Sequence, residues 1–418
     1  MMRKTFRILL FSTAFLACAC NKDLSQVTSI NIIDRNGMSE TISSKDRLAA
    51  FEKTDFLTPQ PYQKVLRVYG RSENGDVKAR VTSYHPNGQV KQYLEAVNNR
   101  AHGNYKEWYP SGQLKVEAYV INGVADLNTQ AEESWLFDGQ SLAWDEEGNL
   151  LAKISYDKGA LEGMAQYFHP NGKIWKLSPY HQNALNGTQK TFLPDGTIFQ
   201  TTDYKEGAKE GTSVRYWDLS HIAYHEKYVK GELREAAYYD TEGHTLSTIK
   251  NGNGKRAIFG KASLERFEEF KGGVQAGAVQ VFDESGHVIS SYSIIDGEKQ
   301  GEEIDYFPGT TTPKLLLTWT SGILQGTVKS WYESGQLESQ REMSQNKKNG
   351  LLSAWYTNGA LMLLEEYDND NLIKGEYYRM GEKEPVSKIE KGNGLATLFS
   401  SDGTFSHKVF YEDGKPLD

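Results

Sequence analysis

The chain has 418 residues, 24% charged and 38% hydrophobic, with 24 Tyr, 17 Phe and 8 Trp against 2 Cys. That balance excludes a membrane-embedded bundle and a charge-rich disordered chain, and the aromatic excess favours pleated β surfaces. The formal net charge of -8 argues against nucleic acid as a partner.

At the N-terminus, Arg3, Lys4 and Arg7 precede an apolar run over residues 8–17, and small residues and cysteines follow. This is the layout of a secretory signal peptide. The run is about ten residues, half of the roughly 20 that a membrane-crossing helix needs. The stretch Leu16-Ala17-Cys18-Ala19-Cys20 resembles a bacterial lipobox. That resemblance implies a signal peptide over residues 1–19 and a lipid-modified cysteine behind it. Cys20 is preferred, because Cys18 then stands two positions before the cut, where small residues are usual. The alternative anchor, Cys18, places bulky Leu16 there. No Cys follows position 20, which leaves disulfides, thiol catalysis and Cys-ligated metals outside the expected chemistry.

Residues 20–80 read as a spacer or cap. Residues 27–34 alternate like a strand, and Ser43 with Asp46 resembles a helix N-cap with an acid at its third position. The helix is expected to run to Phe56, with Thr58-Pro-Gln-Pro61 as its stop and residues 66–71 as another strand.

From residue 81 to 418 a phrase recurs: an aromatic pair, a turn ending in Gly, then an aliphatic residue. It reads YHPNGQVK from Tyr84, WYPSGQLK from Trp108, YFHPNGKI from Tyr167, WYESGQLE from Trp331 and WYTNGALM from Trp355. Gly88 and Gly112, Gly148 and Gly172, Gly172 and Gly196, and Gly335 and Gly359 are each 24 apart. Worn copies are YFPGTTTPKLLL from Tyr306 and the related pair IKNGNGKRAIF from Ile249 and IEKGNGLATLF from Ile389. Residues 124–134 interrupt the period as a polar loop. A second glycine, as at Gly103, Gly187, Gly277, Gly326 and Gly350, stands five residues before an aromatic. Pro, Asn or Asp, and Gly have the chemistry of tight turns, so each unit is a strand, a turn, a second strand and a connector. The expected fold is all-β. It is an elongated antiparallel β-meander of about 14 stacked hairpin repeats of ~24 residues, behind a small N-terminal cap with one short helix.

This pattern resembles the variant MORN repeat over roughly residues 80–415. The resemblance implies an extended sheet used for contacts. Profiles of this class are sometimes labelled as antitoxins, a role that an exported lipoprotein could not fill against a cytoplasmic toxin.

His85 and His169 share one repeat position, before the Pro of a turn, and read as turn-surface residues. His221 and His225 have helical metal-ligand spacing but straddle a predicted hairpin, so no metal is assigned. Asp368-Asn-Asp370-Asn starts like a calcium loop but has Ile373 and Arg379 where Gly and Glu belong. No nucleophile elbow, phosphate loop or His-Glu-x-x-His occurs, and Glu302-Glu303 reads as a solvated strand face. Trp108, Trp331 and Trp355 hold equivalent places and are expected to form an aromatic ladder, chiefly packed and secondarily able to stack on a sugar. No cofactor is implied.

The resulting expectation is a non-enzymatic binding or scaffolding module of the bacterial cell envelope. It would be membrane-anchored through its N-terminal lipid, on the periplasmic or surface face, and would contact a protein or an envelope glycan. The alternative is an envelope enzyme, for example a glycan hydrolase, with its cleft in one of two irregular places, residues 124–134 or 255–273.

Overall fold

The computed structural model describes residues 26–51, 55, 57–261 and 263–417. The signal segment, Cys18, Cys20 and the expected helix end at Phe56 lie outside the described residues. Among those residues there are 37 strands and two short helices, so the all-β expectation stands. The chain divides into two compact units, one ending at Asn183 and one beginning at Ala184.

In the first unit, Gln26–Asp34 pairs antiparallel with both Ser39–Ile42 and Gln63–Arg71. Gln63–Arg71 then pairs with Val77–Tyr84, and the meander continues through Val90–Val97, Arg100–Trp108 and Leu114–Val124. It goes on through Gly139–Trp144, Leu150–Asp157, Gly163–Phe168 and Ile174–His181. The N-terminal residues are therefore part of the sheet. Ile30, Ile42, Leu66, Val68, Tyr84 and Val90 form one buried cluster, against which Leu48, Phe51 and Trp108 pack. The helix is shorter than expected, Lys45–Ala49. It is capped by Ser44 rather than Ser43, with no side-chain cap bond. Phe51 closes only a last turn, its N–H donating to the Leu48 carbonyl at 2.9 Å.

In the second unit, each strand from Gly187–Phe192 to Lys415–Leu417 pairs antiparallel with a neighbour in sequence. The worn copies at Ile249 and Ile389 are core elements: both isoleucines are 1% exposed. They follow one design. Gly254 and Gly394 have φ of 143° and 146°, and a Cβ there would lie 2.1 Å and 2.5 Å from the carbonyls of Thr248 and Lys388.

Two kinds of turn alternate along each unit. The Pro-Asn-Gly kind closes with His85 N–H on the Gln89 carbonyl (2.8 Å) and Gly88 N–H on the His85 carbonyl (2.9 Å). A one-residue register slip follows it, which leaves Lys91 unpaired as a β-bulge. The other kind is the connector, which proves to be a two-residue hairpin turn with both central residues at positive φ. Examples are Asn98 and Asn99 (51° and 64°), Gln345 and Asn346 (50° and 65°), and Lys230 and Gly231 (51° and 82°). These are the mirror-type turns whose twist matches that of paired strands.

The second glycine of the repeat has a partner that its spacing did not reveal. In several copies the strand opposite it bulges at an acid, and that carboxylate accepts from the N–H after the glycine. Glu95 accepts from Asn104 at 2.9 Å, Asp203 from Thr212 at 3.0 Å and Glu269 from Ala278 at 2.9 Å. At Gly277, where φ is 121°, a Cβ would be strained and would also displace the Glu269 carboxylate, whose Oε2 lies 2.2 Å from it. The Ala278 N–H holds the Glu269 carboxyl below its ordinary pKa.

Candidate functional site

In five copies the residue three before the turn position reaches along its unit and ties one turn to the next. Three residues before the turn glycine, Tyr109 donates to the Trp144 carbonyl (3.0 Å), Tyr332 to that of Trp355 (2.7 Å) and Tyr356 to that of Tyr378 (2.6 Å). His85 and Trp217 occupy the same place, with Nε2 on the Trp108 carbonyl (2.8 Å) and Nε1 on the Tyr239 carbonyl (3.1 Å). His85 is therefore a structural donor and not a bare surface residue. Where this position is Asp, the side chain closes its own turn instead: Asp283 accepts from the N–H groups of Ser285 and His287, both at 2.9 Å.

The first aromatics of the expected ladder, Trp108, Trp331 and Trp355, are half-buried. Among the described residues no ring pair joins Trp331 to Trp355. Trp108 and Trp355 take part in the array through their carbonyls, and Trp108 also packs on the N-terminal cluster.

Four tyrosine hydroxyls of the second unit's cores end on buried acids. Glu226, 0% exposed, accepts from Tyr228 (2.8 Å), Tyr238 (2.8 Å) and Arg256 Nε (2.9 Å). A sister cluster repeats this arrangement: Glu365 accepts from Tyr367 (3.0 Å) and Tyr377 (2.7 Å). Lys209 and Lys348 lie 3.4 Å from the hydroxyls of Tyr228 and Tyr367. The arginine has no counterpart, because buried Ala396 stands at its place. Burial and the neighbouring carboxylate drive the phenols of Tyr228, Tyr238, Tyr367 and Tyr377 far above their ordinary pKa, so they remain donors.

Residues 124–134 contain the helical turn Thr129–Glu132, capped by Asn128, and they lead into Trp135, which plugs a core of Val81, Leu94, Tyr105 and Val120. The loop does bring Glu132 to Gln92, which also donates to the Tyr105 hydroxyl (3.2 Å), and that hydroxyl lies 3.5 Å from Glu107. Glu132 is held by Gln92 Nε2 (2.7 Å) and Glu107 by Lys115 (2.7 Å). In the second region Asn253–Phe259 pairs antiparallel with Leu264–Lys271, and the Phe259 carbonyl accepts from Arg215 (2.7 Å), an arginine set among Phe199, Trp217 and Phe259.

His221 faces Asp218 (2.9 Å), and His225 sits within the strand Ile222–Val229. Asn369 and Asp370 form a two-residue turn. Glu303 is buried, held by Lys299 (2.6 Å) and by Trp319 Nε1 (2.7 Å), while Glu302 is exposed. That corrects the expectation of a solvated acid pair. No group of three or more His, Cys, Asp or Glu that could hold a metal occurs among the described residues.

One set of rings in the first unit is open. Trp175, 47% exposed, stands edge-on to Tyr167 at 6.2 Å and near His169 at 6.5 Å. Lys176 lies 5.6 Å over Tyr167, and Phe137 packs 5.4 Å from Tyr156. Burial raises the phenol pKa of Tyr156, and Tyr180 adds to the shift. Burial does the same at Tyr167, with smaller contributions from Tyr180 and Tyr156. Tyr156, Tyr167 and Tyr180 are thus neighbours, and Tyr167 stands directly beside the exposed indole. Periodicity did not single out Trp175, because it is the unpaired bulge residue after the turn, where other copies carry Lys91, Lys115 and Leu151.

Serial hairpins with their turns tied one to the next define a β-hairpin repeat protein, an architecture that presents strand faces for contacts. The MORN repeat variant matches at residues 78–98, 101–122, 161–182 and 324–345, each match spanning one hairpin around a turn glycine. The chain thus carries MORN-type repeats, which point to a binding or scaffolding module. No curated protein matches it. Among solved structures it is similar to the Tc holotoxin pore of Photorhabdus luminescens, at 13% identity over 89% of this chain and 25% of that one, with a TM-score of 0.16. A second is TcdB2–TccC3 without its hypervariable C-terminal region, at 11% identity over 88% and 25%, with a TM-score of 0.13. The chain spans about a quarter of those two chains, and at such TM-scores the likeness carries no argument.

Proposed function

We propose that this chain is a non-catalytic repeat module, lipid-anchored through Cys20 in the bacterial envelope, that holds envelope glycan on the platform around Trp175. The observation that carries this reading is the half-exposed indole beside clustered phenols. Trp175 is 47% exposed and its ring stands 6.2 Å from that of Tyr167, so an indole and a phenol are presented together. An aromatic face stacks on the C–H side of a sugar, and phenols answer its hydroxyls. The signal layout and the absence of later cysteines support the anchor.

The test is retention of the mature chain on isolated envelope glycan. Trp175→Ala is expected to abolish retention without moving the melting midpoint, because the ring is half-exposed. Unchanged retention would remove the platform, and no retention of the wild type would redirect the search to a protein partner. Fatty-acid labelling should mark the wild type and Cys18→Ser but not Cys20→Ser. The Glu107 and Glu132 pair is the one feature that favours a hydrolase. We infer that it locks the loop, so Glu132→Gln should loosen residues 124–134 in hydrogen exchange without altering any glycan turnover.

A further inference from the structure

We propose that a groove in the second unit, beside the turn at residues 307–312, is a binding site for a neutral saccharide. This deepens the glycan reading above and rests on it, but it uses separate residues.

The groove begins as a departure from the repeat. The copy at Tyr306 has one residue more in its turn: Tyr306 pairs with Pro313, whereas Trp331 pairs with Leu337. The longer turn closes with Phe307 N–H on the Thr312 carbonyl (3.0 Å) and Thr310 N–H on the Phe307 carbonyl (3.1 Å). Thr310 Oγ1 donates to that same carbonyl and accepts from Thr312 N–H, both at 3.1 Å, so the turn is held from within.

Beside it lies a groove of ≈ 750 Å³, lined by Tyr306, Thr311 and Thr312 and, from the preceding hairpin, by Gln280, His287 and Ser291. That volume falls within the roughly 300–1,000 Å³ of small-molecule sites. The lining contains no Lys, Arg, Asp or Glu. His287 turns Nδ1 to Asp283 (3.3 Å), which leaves Nε2 for a ligand. Tyr306, Gln280, Ser291 and Thr311 make no side-chain hydrogen bond to another described residue, whereas the phenols of Tyr238, Tyr356 and Tyr377 in the same unit end on carbonyls or carboxylates.

An anion would find no fixed cation here, and a cation no carboxylate. A sugar offers paired donors and acceptors to the amide, hydroxyls, phenol and imidazole, and its C–H face to the Tyr306 ring and Val288.

The test titrates the full mature chain with maltotetraose and with tetra-N-acetylchitotetraose, following saturation transfer and heat. One of the two is expected to bind saturably. Thr311→Trp fills the groove from an exposed turn position and should weaken binding at least about tenfold, or about 1.4 kcal/mol. Tyr306→Ala should do likewise, and Trp175→Ala should leave the groove unaffected. Circular dichroism checks that each variant is folded. Failure of the wild type to bind either tetrasaccharide at millimolar concentration overturns the groove. So does binding that survives both groove variants and vanishes in Trp175→Ala, a result that keeps the platform. Binding lost in the groove variants, with envelope retention indifferent to Trp175→Ala, sustains the groove and removes the platform.

Discussion

Glu226 and Glu365 offer an internal comparison of what a buried acid does with and without a guanidinium beside it. Glu226→Leu keeps about the same volume but leaves two buried phenols without an acceptor and Arg256, bonded at 2.9 Å, without its carboxylate. Removing one member of a buried ion pair costs about 3–5 kcal/mol, because the other charge stays desolvated. Glu365→Leu leaves two phenols but no arginine, and a cost of about 1–3 kcal/mol is expected. Lys209 and Lys348 stand alike in the two clusters, so their contribution cancels in the difference. In Glu226→Leu combined with Arg256→Leu, part of the loss should return, with an interaction energy of about 1–3 kcal/mol. The assay is urea unfolding followed within one transition, because repeat arrays can melt in stages. Equal costs at the two acids, or strict additivity in the double variant, would refute the claim that Arg256 sets the difference.

Tyr356→Phe keeps the ring and removes only the donor to the Tyr378 carbonyl, so it should cost about 1 kcal/mol and raise exchange at the neighbouring turn, whereas Tyr356→Ala should cost 3 kcal/mol or more by roughly the usual measure for buried aromatics. Gly277→Ala should destabilise far more than Gly286→Ala in thermal melts. Both glycines have positive φ, but a Cβ at Gly286 meets nothing within 4 Å. The carboxyls of Glu269 and Asp283 are held low by the N–H groups of Ala278 and His287, so their stabilisation is present above the unfolded carboxylate pKa and is lost as pH falls through the folded one. The melting midpoint should therefore fall below about pH 4, and less steeply in Glu269→Gln with Asp283→Asn.

The architecture was readable because turn glycines at a fixed spacing mark hairpins whatever lies between them. The connectors were harder to read: Asn98-Asn99, Lys230-Gly231 and Gln345-Asn346 share a conformation but no residue signature. The turn tie was hidden for a similar reason, since Tyr109, His85 and Trp217 have only a donor in common. The pairing of Glu269 with Ala278 crosses a hairpin, and only the strand register brings the two together. The platform escaped because Trp175 sits where the repeat places no constraint, and the groove because an added turn residue looked like decay.

The turn ties have a direction. His85 and Tyr109 in one unit, and Trp217, Tyr332 and Tyr356 in the other, each reach toward a later residue, and none reaches back. The two ends of such a row are therefore not equivalent cuts. Trimming from the early side exposes a carbonyl, which water satisfies easily. Trimming from the late side strands a ring whose only hydrogen-bond donor has lost its acceptor. An array with this polarity shortens safely from the front and needs a dedicated stop at the back, which gives a hairpin row a grain of the kind usually associated with helices.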